Sequence, residues 1–547
     1  MTSFRQQLVK FIRHYSVNYT GHFVVASQQS TMDVSDPPLL ANRPPAIVIG
    51  AGIAGLATAL RLATGGMQVT LLERHAHAGG KIRTVPSAAG PVDAGPTVLT
   101  LRHVFDDLFE NAGAQLEDHV TLIPQDVLAR HVWPDGTTLN LHADTQTSTD
   151  AIAAFAGTAA ADEFRAFNNR TARLYRAFDA PMMQAGTPKI GRLVARVIKD
   201  PSLMSALAPL STLSTSLQRH FSDPRLAQLF GRYATYVGGA PHLSPAVLSL
   251  IWQAEATGVW VVKGGMHKLA EALRRLAIDR GVDIRLGTHV DRIILKDGKA
   301  HAVETNGSEH LEAEAIVYAG DPRALAVGAL GNALKVVAPQ TAKLPRSFSA
   351  RVHSFAAVPQ GRDLAHHNVF FAQDPLSEFR DLAAGQIPRD PTLYLCAEDR
   401  GQGTNPPQCE RFEIIANAPA TDTLASSGDL NTWHHQIMQR MAAMGVIFTP
   451  QPTPATITTP QQFAAMFPHS QGALYGQSPH GLTAALGRPT AITPIPGLWL
   501  AGGGAHPGAG IPMATLSARH AAEAILNGQI STSRSGQTAT PGGTLTA

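Results

Sequence analysis

Residues 46–55 read Ala-Ile-Val-Ile-Gly-Ala-Gly-Ile-Ala-Gly and decide the fold. The first half of this stretch is a short apolar run that suits a buried parallel strand, and the second half matches the pattern G-x-G-x-x-G. A helical pattern over 54–64 and a second β-rich run over 68–73 follow. This order predicts a β-α-β unit of the dinucleotide-binding type.

Each position of the glycine motif has a physical task. Gly50 permits the tight turn, Gly52 lets a pyrophosphate approach the backbone, and Gly55 lets helix and strand pack closely. The helix that begins at Ala54 offers free N–H groups and the positive end of its dipole to phosphate. A strand–helix turn without a ligand could use the same glycines, so that alternative stays open at this point.

An acidic residue ends the second β-rich run, 23 residues after Gly50. Glu73 can accept hydrogen bonds from a ribose, and Arg74 follows it directly. Both are therefore candidate cofactor-binding residues. The motif does not by itself choose between FAD and NAD.

The next segment is Gly79-Gly80-Lys81-Ile82-Arg83, a glycine pair with two cations. Here the sequence resembles the amine oxidase and carotenoid desaturase superfamily of flavoproteins. Members of that superfamily place a second glycine pair and a basic residue against the FAD pyrophosphate. The resemblance implies that Gly80 and either Lys81 or Arg83 belong to the site, and the alternative is a solvated basic loop.

A second glycine-rich segment joins a strand to a helix near the other end of the chain, at Ala501-Gly502-Gly503-Gly504-Ala505-His506-Pro507-Gly508-Ala509-Gly510-Ile511-Pro512. Pro512 suits the first position of a helix, whose N–H groups would face the flavin. The equivalent segment contacts flavin in the superfamily, which implies contacts from Gly503, Gly510, Ile511 and Pro512. The resemblance also matches Val290 to a strand that meets adenine, although a plain core valine is an equal alternative.

A narrower resemblance covers nearly all of residues 45–527. The chain is similar to the phytoene desaturase family of bacterial carotenoid enzymes through Asp93-Ala94-Gly95-Pro96-Thr97, Gly258-Val259-Trp260, Lys263-Gly264-Gly265-Met266 and His506-Pro507-Gly508-Ala509-Gly510-Ile511-Pro512. The stretch from Gly95 to Phe109 and the Gly502-Gly503-Gly504 variant resemble the branch that acts on 1-hydroxy and 1-methoxy carotenoids.

This resemblance implies an FAD-dependent desaturation of an acyclic carotenoid. The expected reaction is oxidation of the C3–C4 bond of a 1-hydroxy or 1-methoxy carotenoid such as hydroxyneurosporene, with hydride transfer to flavin N5. We expect the FAD to be non-covalent, because no cysteine or tyrosine stands in a convincing attachment position. We expect oxygen or a quinone as electron acceptor and no metal.

Two residues are candidates for a role in catalysis. Glu255 interrupts an apolar stretch before Gly258-Val259-Trp260, and could face the substrate or be a capped, solvent-facing glutamate. His506 could face the flavin or only hydrogen-bond the glycine loop. Neither pattern identifies a general base.

Composition excludes several classes of function. A formal charge of +3 over 547 residues gives no basic face for nucleic acid. The two cysteines, Cys396 and Cys409, form no CxxC pair, which argues against zinc and iron–sulfur sites and fits a reducing cytosol. No window reaches 18 apolar residues, so we expect no helix to span a membrane. Because the polyene substrate that the resemblance implies dissolves only in a bilayer, we expect peripheral association with the cytoplasmic (inner) membrane, through the helical segment 150–260.

The fold class predicted is α/β, a two-domain FAD-binding Rossmann-like fold of the amine oxidase and phytoene desaturase type, with a mixed sheet-plus-helix substrate domain. The predicted FAD-binding domain is assembled from three segments, 44–135, 259–321 and 491–527. Between them lie a helical, membrane-facing substrate segment at 136–258 and the substrate domain proper at 322–490. A disordered extension is expected at 1–43 and a disordered tail at 528–547.

Further elements are predicted from periodicity and turn residues. Strands are expected at 283–286, 290–295, 300–304, 315–319, 348–356, 392–397, 411–417 and 498–501, and helices at 266–279, 430–444 and 512–525. Asp297-Gly298 and Asn306-Gly307 supply hairpin turns.

Other functions fit the same fold. Within the enzymes, the alternatives are a phytoene or neurosporene desaturase and an amine oxidase-like or protoporphyrinogen oxidase-like flavoenzyme. From another class, the alternative is a flavin-free lipid carrier like the GDP-dissociation inhibitors. The intact glycine motif, Glu73 and the C-terminal glycine segment argue against the carrier.

Overall fold

A computed structural model describes residues 43–422, 430–481, 484 and 487–536, with side chains as far as 528. The extension predicted for 1–43 therefore lies outside the described residues except at Arg43, and so does the end of the predicted tail, 537–547. The tail predicted at 528–547 is wrong at its start, because the last helix continues to Gly536. A single glycine such as Gly528 costs a helix only about 1 kcal/mol, which does not end it.

The strands are β1 (Pro45–Ile49), β2 (Gln68–Leu72), β3 (Thr84–Ser87), β4 (Gly90–Asp93), β5 (Leu122–Pro124), β6 (Val127–Val132), β7 (Thr138–His142), β8 (Trp260–Val262), β9 (Asp283–Arg285), β10 (Val290–Lys296), β11 (Lys299–Thr305), β12 (Glu309–Glu312), β13 (Ala315–Tyr318), β14 (Ser349–Gly361), β15 (His367–Phe370), β16 (Leu393–Ala397), β17 (Glu410–Ala418), β18 (Val446–Thr449), β19 (Ile457–Thr458) and β20 (Leu498–Leu500).

The α-helices are α1 (Ile53–Thr64), α2 (His103–Asn111), α3 (Leu116–His119), α4 (Thr145–Ala156), α5 (Thr158–Phe178), α6 (Ile190–Lys199), α7 (Ser202–Leu207), α8 (Leu213–His220), α9 (Pro224–Gly231), α10 (Ile251–Ala256), α11 (His267–Asp279), α12 (Arg323–Ala326), α13 (Ser377–Ala383), α14 (Leu430–Ala443), α15 (Pro460–Met466) and α16 (Ile511–Gly536). Shorter helical turns are a π-helical turn at Asp179–Met183 and 3-10 turns at Arg232–Val237, Ala246–Leu250, Asn332–Val336, Pro339–Ala342 and Pro454–Thr456.

A five-stranded parallel sheet joins the two ends of the described chain, in the order β20-β13-β1-β2-β9. Its central strand β1 is buried along nearly its whole length, as the apolar run predicts. Helices α1, α11 and α16 cover one face of this sheet, and the antiparallel sheet β10-β11-β12 with α12 covers the other. The predicted β-α-β unit is therefore confirmed. The strands predicted at 315–319 and 498–501 are confirmed as well, since they pair in this sheet.

A larger, mostly antiparallel sheet forms the second layer, in the order β18-β14-β17-β16-β15-β6-β7, with β19 paired to β14. Helix α14 packs on one side of it around Trp433 and Met441. Strands β6 and β7 of this sheet come from 127–142, so the predicted boundary at 135/136 falls inside one of its hairpins.

Helices α4, α5, α8, α9 and α10 pack around an aromatic cluster that includes Phe164, Phe167, Phe230 and Trp252. Their apolar positions recur at helical spacing, and the several helices predicted for 149–260 are confirmed. Among the described residues, no helix combines the length and apolar character needed to cross a bilayer.

Candidate functional site

The glycine motif lies at the carboxyl end of β1, where the chain turns into α1. Gly50 has φ +101°, a conformation that favours glycine, and its N–H donates to the carbonyl of Leu72 at 2.7 Å. A Cβ atom at Gly55 would lie 1.8 Å from the carbonyl oxygen of Gly50. Gly55 is therefore required for the close packing of helix on strand.

Glu73 ties the glycine turn to β2. Its side chain is 5% exposed, and its carboxylate accepts from the backbone N–H groups of Ala51 at 2.8 Å and His75 at 2.9 Å. These bonds occupy some of the lone pairs of the carboxylate and hold it at the cavity wall. A hydrogen bond from a ribose hydroxyl to the remaining lone pairs of Glu73 stays a prediction.

The second glycine pair lies directly against the first motif. Gly79 and Gly52 form a parallel bridge, and a Cβ at Gly80 would lie 2.9 Å from the Cα of Gly52. A Cβ at Gly95 would lie 2.0 Å from the carbonyl oxygen of Lys81. Two motifs that are distant in sequence thus pack on each other at backbone contact distance.

The three predicted cations separate in the structure. Lys81 and Arg74 line the cavity, whereas Arg83 turns towards the second layer. The guanidinium of Arg83 donates to the hydroxyl of Thr458 at 2.6 Å and lies 5.5 Å from the centre of the Phe463 ring. Lys81, and not Arg83, is thus the cation placed beside the glycine motif.

Lys81 lies in a group of charged residues at the edge of the parallel sheet. Burial lowers the pKa of Lys81 to about 8; Asp321 opposes this shift, and Arg346 and Arg488 add to it. Asp321 also forms an ion pair with Arg346. Lys81, Asp321 and Arg488 line the cavity, and two cations against one carboxylate leave net positive charge on that wall, which favours an anionic ligand.

Arg488 is a site residue that the sequence did not predict. It donates to the carbonyl of Gly503 at 2.7 Å and to that of Tyr475 at 3.0 Å, and burial lowers its pKa to about 10. These two hydrogen bonds connect Arg488 to the backbone of the C-terminal glycine segment and of Tyr475. An isolated arginine in a glycine- and proline-rich stretch carries no local signal for this role.

The C-terminal glycine segment opens α16 onto the cavity. Gly503, Gly510, Ile511 and Pro512 all line it, and a Cβ at Gly510 would meet no atom within 4 Å. Val290 is 5% exposed and lies both in the core and at the cavity wall. It is therefore a core valine that could also meet a ligand in the cavity.

His506 lines the cavity, but its hydrogen bond differs from the one predicted. Its Nε2 lies 3.0 Å from the carbonyl oxygen of Ala185, and its ring stacks on His520 at 5.7 Å. Burial lowers the pKa of His506. Of the two alternatives for His506, the side-chain bond to the glycine loop is not found among the described residues, where the ring meets the turn that follows Asp179–Met183; a contact with the flavin stays a prediction.

The motifs around Asp93 and Gly265 meet in space. The Asp93 carboxylate accepts from the backbone N–H of Met266 and lies 2.8 Å from Nδ1 of His267 at the start of α11. A Cβ at Gly265 would lie 2.8 Å from Asp93 Oδ2. These contacts join the two motifs at the start of α11.

A cavity of about 1250 Å³ extends from the glycine motifs into the helical segment. It exceeds the usual range of about 300–1,000 Å³ for small-molecule sites, so it can hold more than one ligand. Away from the glycine motifs its wall is chiefly apolar, with contributions from Leu248, Ile251, Val352, Val369, Phe371, Phe379 and Ile415.

Glu255 lies in this cavity wall and is 4% exposed, so the solvent-facing alternative is wrong. Its carboxylate accepts from the hydroxyl of Tyr233 at 2.6 Å and from that of Tyr236. Arg232 lies 3.9 Å from Glu255, and its Nη1 donates to Tyr236 at 2.9 Å. The tyrosines turn the glutamate inwards, and they lie about twenty residues away in sequence.

The same network fixes the protonation of its members. Burial alone would lower the pKa of Arg232, but Tyr236 and Glu255 raise it above its ordinary value. Burial raises the pKa of both Tyr233 and Tyr236, with Glu255 adding to the shift. The group is therefore a charged arginine with two neutral phenols.

Sequence spacing gave no metal site, but the larger sheet brings three potential ligands together. The ligand atoms of His366, His367 and Cys396 lie within 4.8 Å of one another. Burial raises the pKa of the Cys396 thiol, whose sulfur lies 3.4 Å from Nε2 of His366. A protonated thiol is a poor metal ligand. Cys396 lies in β16, and Cys409 directly precedes β17, the strand that pairs with β16.

Comparisons with known proteins agree with this geometry. Residues 53–359 match the model of the flavin-containing amine oxidoreductase family. A hydroxyneurosporene desaturase of Cereibacter sphaeroides is 53% identical over 491 residues, which cover 90% of this chain and 99% of that protein. A hydroxyneurosporene desaturase of Rhodobacter capsulatus is 47% identical over 488 residues, or 89% of this chain and 99% of that protein.

Solved structures confirm the predicted fold class. A putrescine oxidase variant superposes with a TM-score of 0.58 at 13% identity, covering 89% of this chain and 99% of that one. Cyclohexylamine oxidase from Brevibacterium oxydans gives 0.54 at 17% identity, covering 89% and 100%. With the family match and the two relatives, these findings establish that the chain is an oxidoreductase of the flavin-containing amine oxidoreductase family, in the same branch as the hydroxyneurosporene desaturases.

Proposed function

We propose that the protein desaturates an acyclic carotenoid at the C3–C4 bond, next to a 1-hydroxy or 1-methoxy end, as in hydroxyneurosporene. The observation that carries this proposal is the large cavity, which joins glycine motifs suited to a flavin with a long apolar wall. A polyene with one polar end matches such a wall. The names of the 47% and 53% identical relatives support the same substrate class.

We propose FAD, bound non-covalently, as the flavin. The cavity passes the glycine motif and continues along Glu73 to Thr288, His289 and Val290, which leaves room for an adenosine beyond the pyrophosphate. A Cβ at Gly510 would point into open space, which fits close approach of a flat ring. Neither Cys396 nor Cys409 lines the cavity, so neither thiol is placed for attachment.

When bound, FAD would supply the oxidation: it would take a hydride from one carbon of the bond while the neighbouring carbon loses a proton to a base or to solvent, and oxygen or a quinone would reoxidise the reduced flavin. The residues of this chain have other tasks. The start of α16 directs N–H groups and positive dipole charge into the cavity. The apolar wall excludes water and holds the chain of the substrate in one orientation, which supplies much of the rate. His506 and Glu255 remain the candidates for contact with the reacting ligands.

Lys81 predicts a pH dependence for cofactor binding. Without ligand, its pKa of about 8 means that the amine loses its charge as the pH rises through 8. A pyrophosphate beside it would favour the charged form, so FAD and a proton would bind together. We expect the Kd for FAD to be constant below pH 8 and to rise above it, by up to about tenfold per pH unit.

Flavin fluorescence titrations from pH 6 to 10 test this expectation, and Lys81→Met should remove the pH dependence. Lys268→Met, which removes an exposed lysine on α11 paired with Glu271, should leave it intact. A Kd that does not change across this range in the natural protein would contradict the role of Lys81.

We propose that α6 contacts the surface of the cytoplasmic membrane. None of its residues is buried, although Ile190, Leu193, Val194, Val197 and Ile198 form one continuous apolar face. Lys189, Arg192 and Lys199 lie on the other side and are exposed. A basic amphipathic helix of this kind lies in the plane of an anionic bilayer, where a carotenoid is dissolved.

Ile198 is 73% exposed, and Ile198→Asp should weaken binding to vesicles containing anionic lipid by about tenfold or more, because an apolar contact is replaced by a like charge. Ile492→Asp is the matched control, since Ile492 is 62% exposed and lies far along the chain from α6. Vesicle co-sedimentation measures both. Equal losses in the two variants, or none, would count against α6 as the contact.

Product analysis tests the proposed function against its alternatives. The purified enzyme in liposomes should convert 1-hydroxyneurosporene and release FAD on denaturation. Conversion of phytoene to lycopene with hydroxyneurosporene untouched would favour the phytoene desaturase alternative. Turnover of an amine or of protoporphyrinogen, with no change in either carotenoid, would favour the oxidase alternatives.

A further inference from the structure

We infer that Arg232 binds the oxygen atom at the polar end of the substrate, with Tyr236 and Glu255 holding its guanidinium and completing the site. This inference rests on the proposed function and identifies the group that selects the substrate. The three side chains belong to the 3-10 turn Arg232–Val237 and to α10, and all three line the cavity.

The arginine has a hydrogen-bond donor to spare. Its side chain is 10% exposed, and Nη1 donates to Tyr236 at 2.9 Å, whereas Nη2 lies 3.9 Å from Oε1 of Glu255, beyond hydrogen-bond distance. A hydrogen bond from a charged donor is stronger than one from a neutral donor. A ligand oxygen in the cavity beside Nη2 would give this donor an acceptor.

The surroundings limit the kind of ligand. Val369, Phe371, Leu248 and Ile251 contribute to the same cavity wall and are apolar. The Arg232–Glu255 pair is therefore a polar group beside apolar side chains of the cavity wall. A long hydrocarbon with a single oxygen at one end fits that distribution, because its chain contacts the apolar wall while its oxygen meets the arginine.

The position of the site agrees with the bond to be oxidised. Ala254, beside Glu255, packs with Leu101 and with Met513 in the first turn of α16. That turn belongs to the segment proposed to meet the flavin. In the substrate the oxygen is on C1, only two carbon atoms from C3, so the group that binds it must lie close to the site of oxidation.

The three side chains can bind a substrate whose polar end is either a hydroxyl or a methyl ether. The oxygen of a hydroxyl or of a methyl ether can accept from the guanidinium of Arg232. Only a hydroxyl can also donate, to Glu255 or to the oxygen of Tyr236. An end without oxygen would leave the arginine donor unpaired, so the site should discriminate against it.

Another polar patch in the cavity is less suited to this task. Glu378 accepts from the side-chain amide of Asn417 at 2.7 Å and from the backbone N–H of Thr392 at 3.1 Å, so its donors are two neutral amides and not a guanidinium. Burial raises the pKa of this carboxyl. It serves as an internal comparison for the test.

The test compares variants on two substrates, 1-hydroxyneurosporene and neurosporene, supplied in liposomes. Arg232→Met/Glu255→Gln removes both charges together, and Tyr236→Phe removes a single hydroxyl in case the double variant does not fold. Arg225→Met is the matched control, because Arg225 lies at the start of α9, pairs with Asp223 at 2.7 Å and does not line the cavity.

We expect the natural protein to prefer the hydroxylated substrate. The double variant should lose about 10- to 100-fold in kcat/KM for it, as for loss of a charge-assisted hydrogen bond, and the ratio of kcat/KM for 1-hydroxyneurosporene to kcat/KM for neurosporene should fall by the same order. Tyr236→Phe should lower the same ratio by a smaller factor. Quenching of tryptophan fluorescence by the polyene should show the same order in binding, independently of turnover.

Three results would overturn the inference. One is that the folded, flavin-loaded double variant keeps the preference of the natural protein for 1-hydroxyneurosporene. If the double variant does not fold, the same result in Tyr236→Phe counts instead. Another is an equal loss in Arg225→Met. The third is loss of the preference in Asn417→Leu instead. If the natural protein oxidised neither carotenoid, the proposed function itself would fail, which is a separate outcome.

Discussion

Gly55→Val is expected to abolish flavin binding and to destabilise the protein by about 4 kcal/mol or more. The first side-chain carbon would lie 1.8 Å from the carbonyl oxygen of Gly50 and 3.0 Å from its carbonyl carbon. Both atoms belong to the backbone of a turn that is itself bonded to Leu72. Because no flexible side chain can move aside, α1 would have to separate from β1.

The flavin content of the purified variant and its unfolding midpoint in urea measure this effect. Gly191→Val is the control, since a Cβ at Gly191 meets nothing within 4 Å and its φ is not in the positive range. That variant should keep its flavin and change stability by less than about 1 kcal/mol. A fully loaded, equally stable Gly55→Val protein would disprove the packing described for the motif.

Arg346→Leu should be the next most damaging change, with a loss of about 3 kcal/mol. Arg346 pairs with Asp321 at the end of β13, and the two side chains are 8% and 12% exposed. Its Nε also donates to the carbonyl of Ser470 at 3.1 Å, which ties the parallel sheet to the second layer. Removing the arginine leaves a largely buried carboxylate without its partner.

The double variant Arg346→Leu/Asp321→Asn separates the two contributions. It removes the unpaired charge, so it should regain much of the stability that the single variant loses. Urea unfolding followed by circular dichroism gives both values. A single variant as stable as the natural protein would show that this ion pair contributes nothing.

Local patterns predicted most of the parallel sheet. The apolar run of β1 and the glycine turn are contiguous in sequence, so this one stretch was enough to predict the β-α-β unit. The Asp297-Gly298 pair also predicted its turn correctly, since such pairs favour hairpin turns. Both residues adopt positive φ there, between β10 and β11. The strands and turns of this sheet carry local patterns, although the sheet itself joins strands from both ends of the described chain.

The second layer was harder to predict, since its strands pair over long distances. β14 was expected to end at 356 but continues to Gly361, where its last residues pair with β18. β6 and β7 carry polar residues such as Arg130 and Asn140, which bond to each other at 3.1 Å on the sheet. No local periodicity reports such pairing.

The site was predictable where it consists of glycines and not where it consists of single charged side chains. Glu255 is buried because two tyrosines from another segment bond to it. Arg488 acts on the backbone of Gly503, which no pattern around Arg488 reveals. Arg83 and Lys81 were equivalent in sequence, and only the packing of the second layer separates them.

The most direct test of the account is one anaerobic turnover followed by absorption spectroscopy. The flavin-loaded protein is mixed with liposomes that contain 1-hydroxyneurosporene, and the flavin and polyene bands are recorded together. The account predicts that the flavin band bleaches while the polyene band shifts to longer wavelength, with one new double bond at C3–C4 for each flavin reduced. A flavin that stays oxidised with this substrate, but is reduced by phytoene or by an amine, would contradict it.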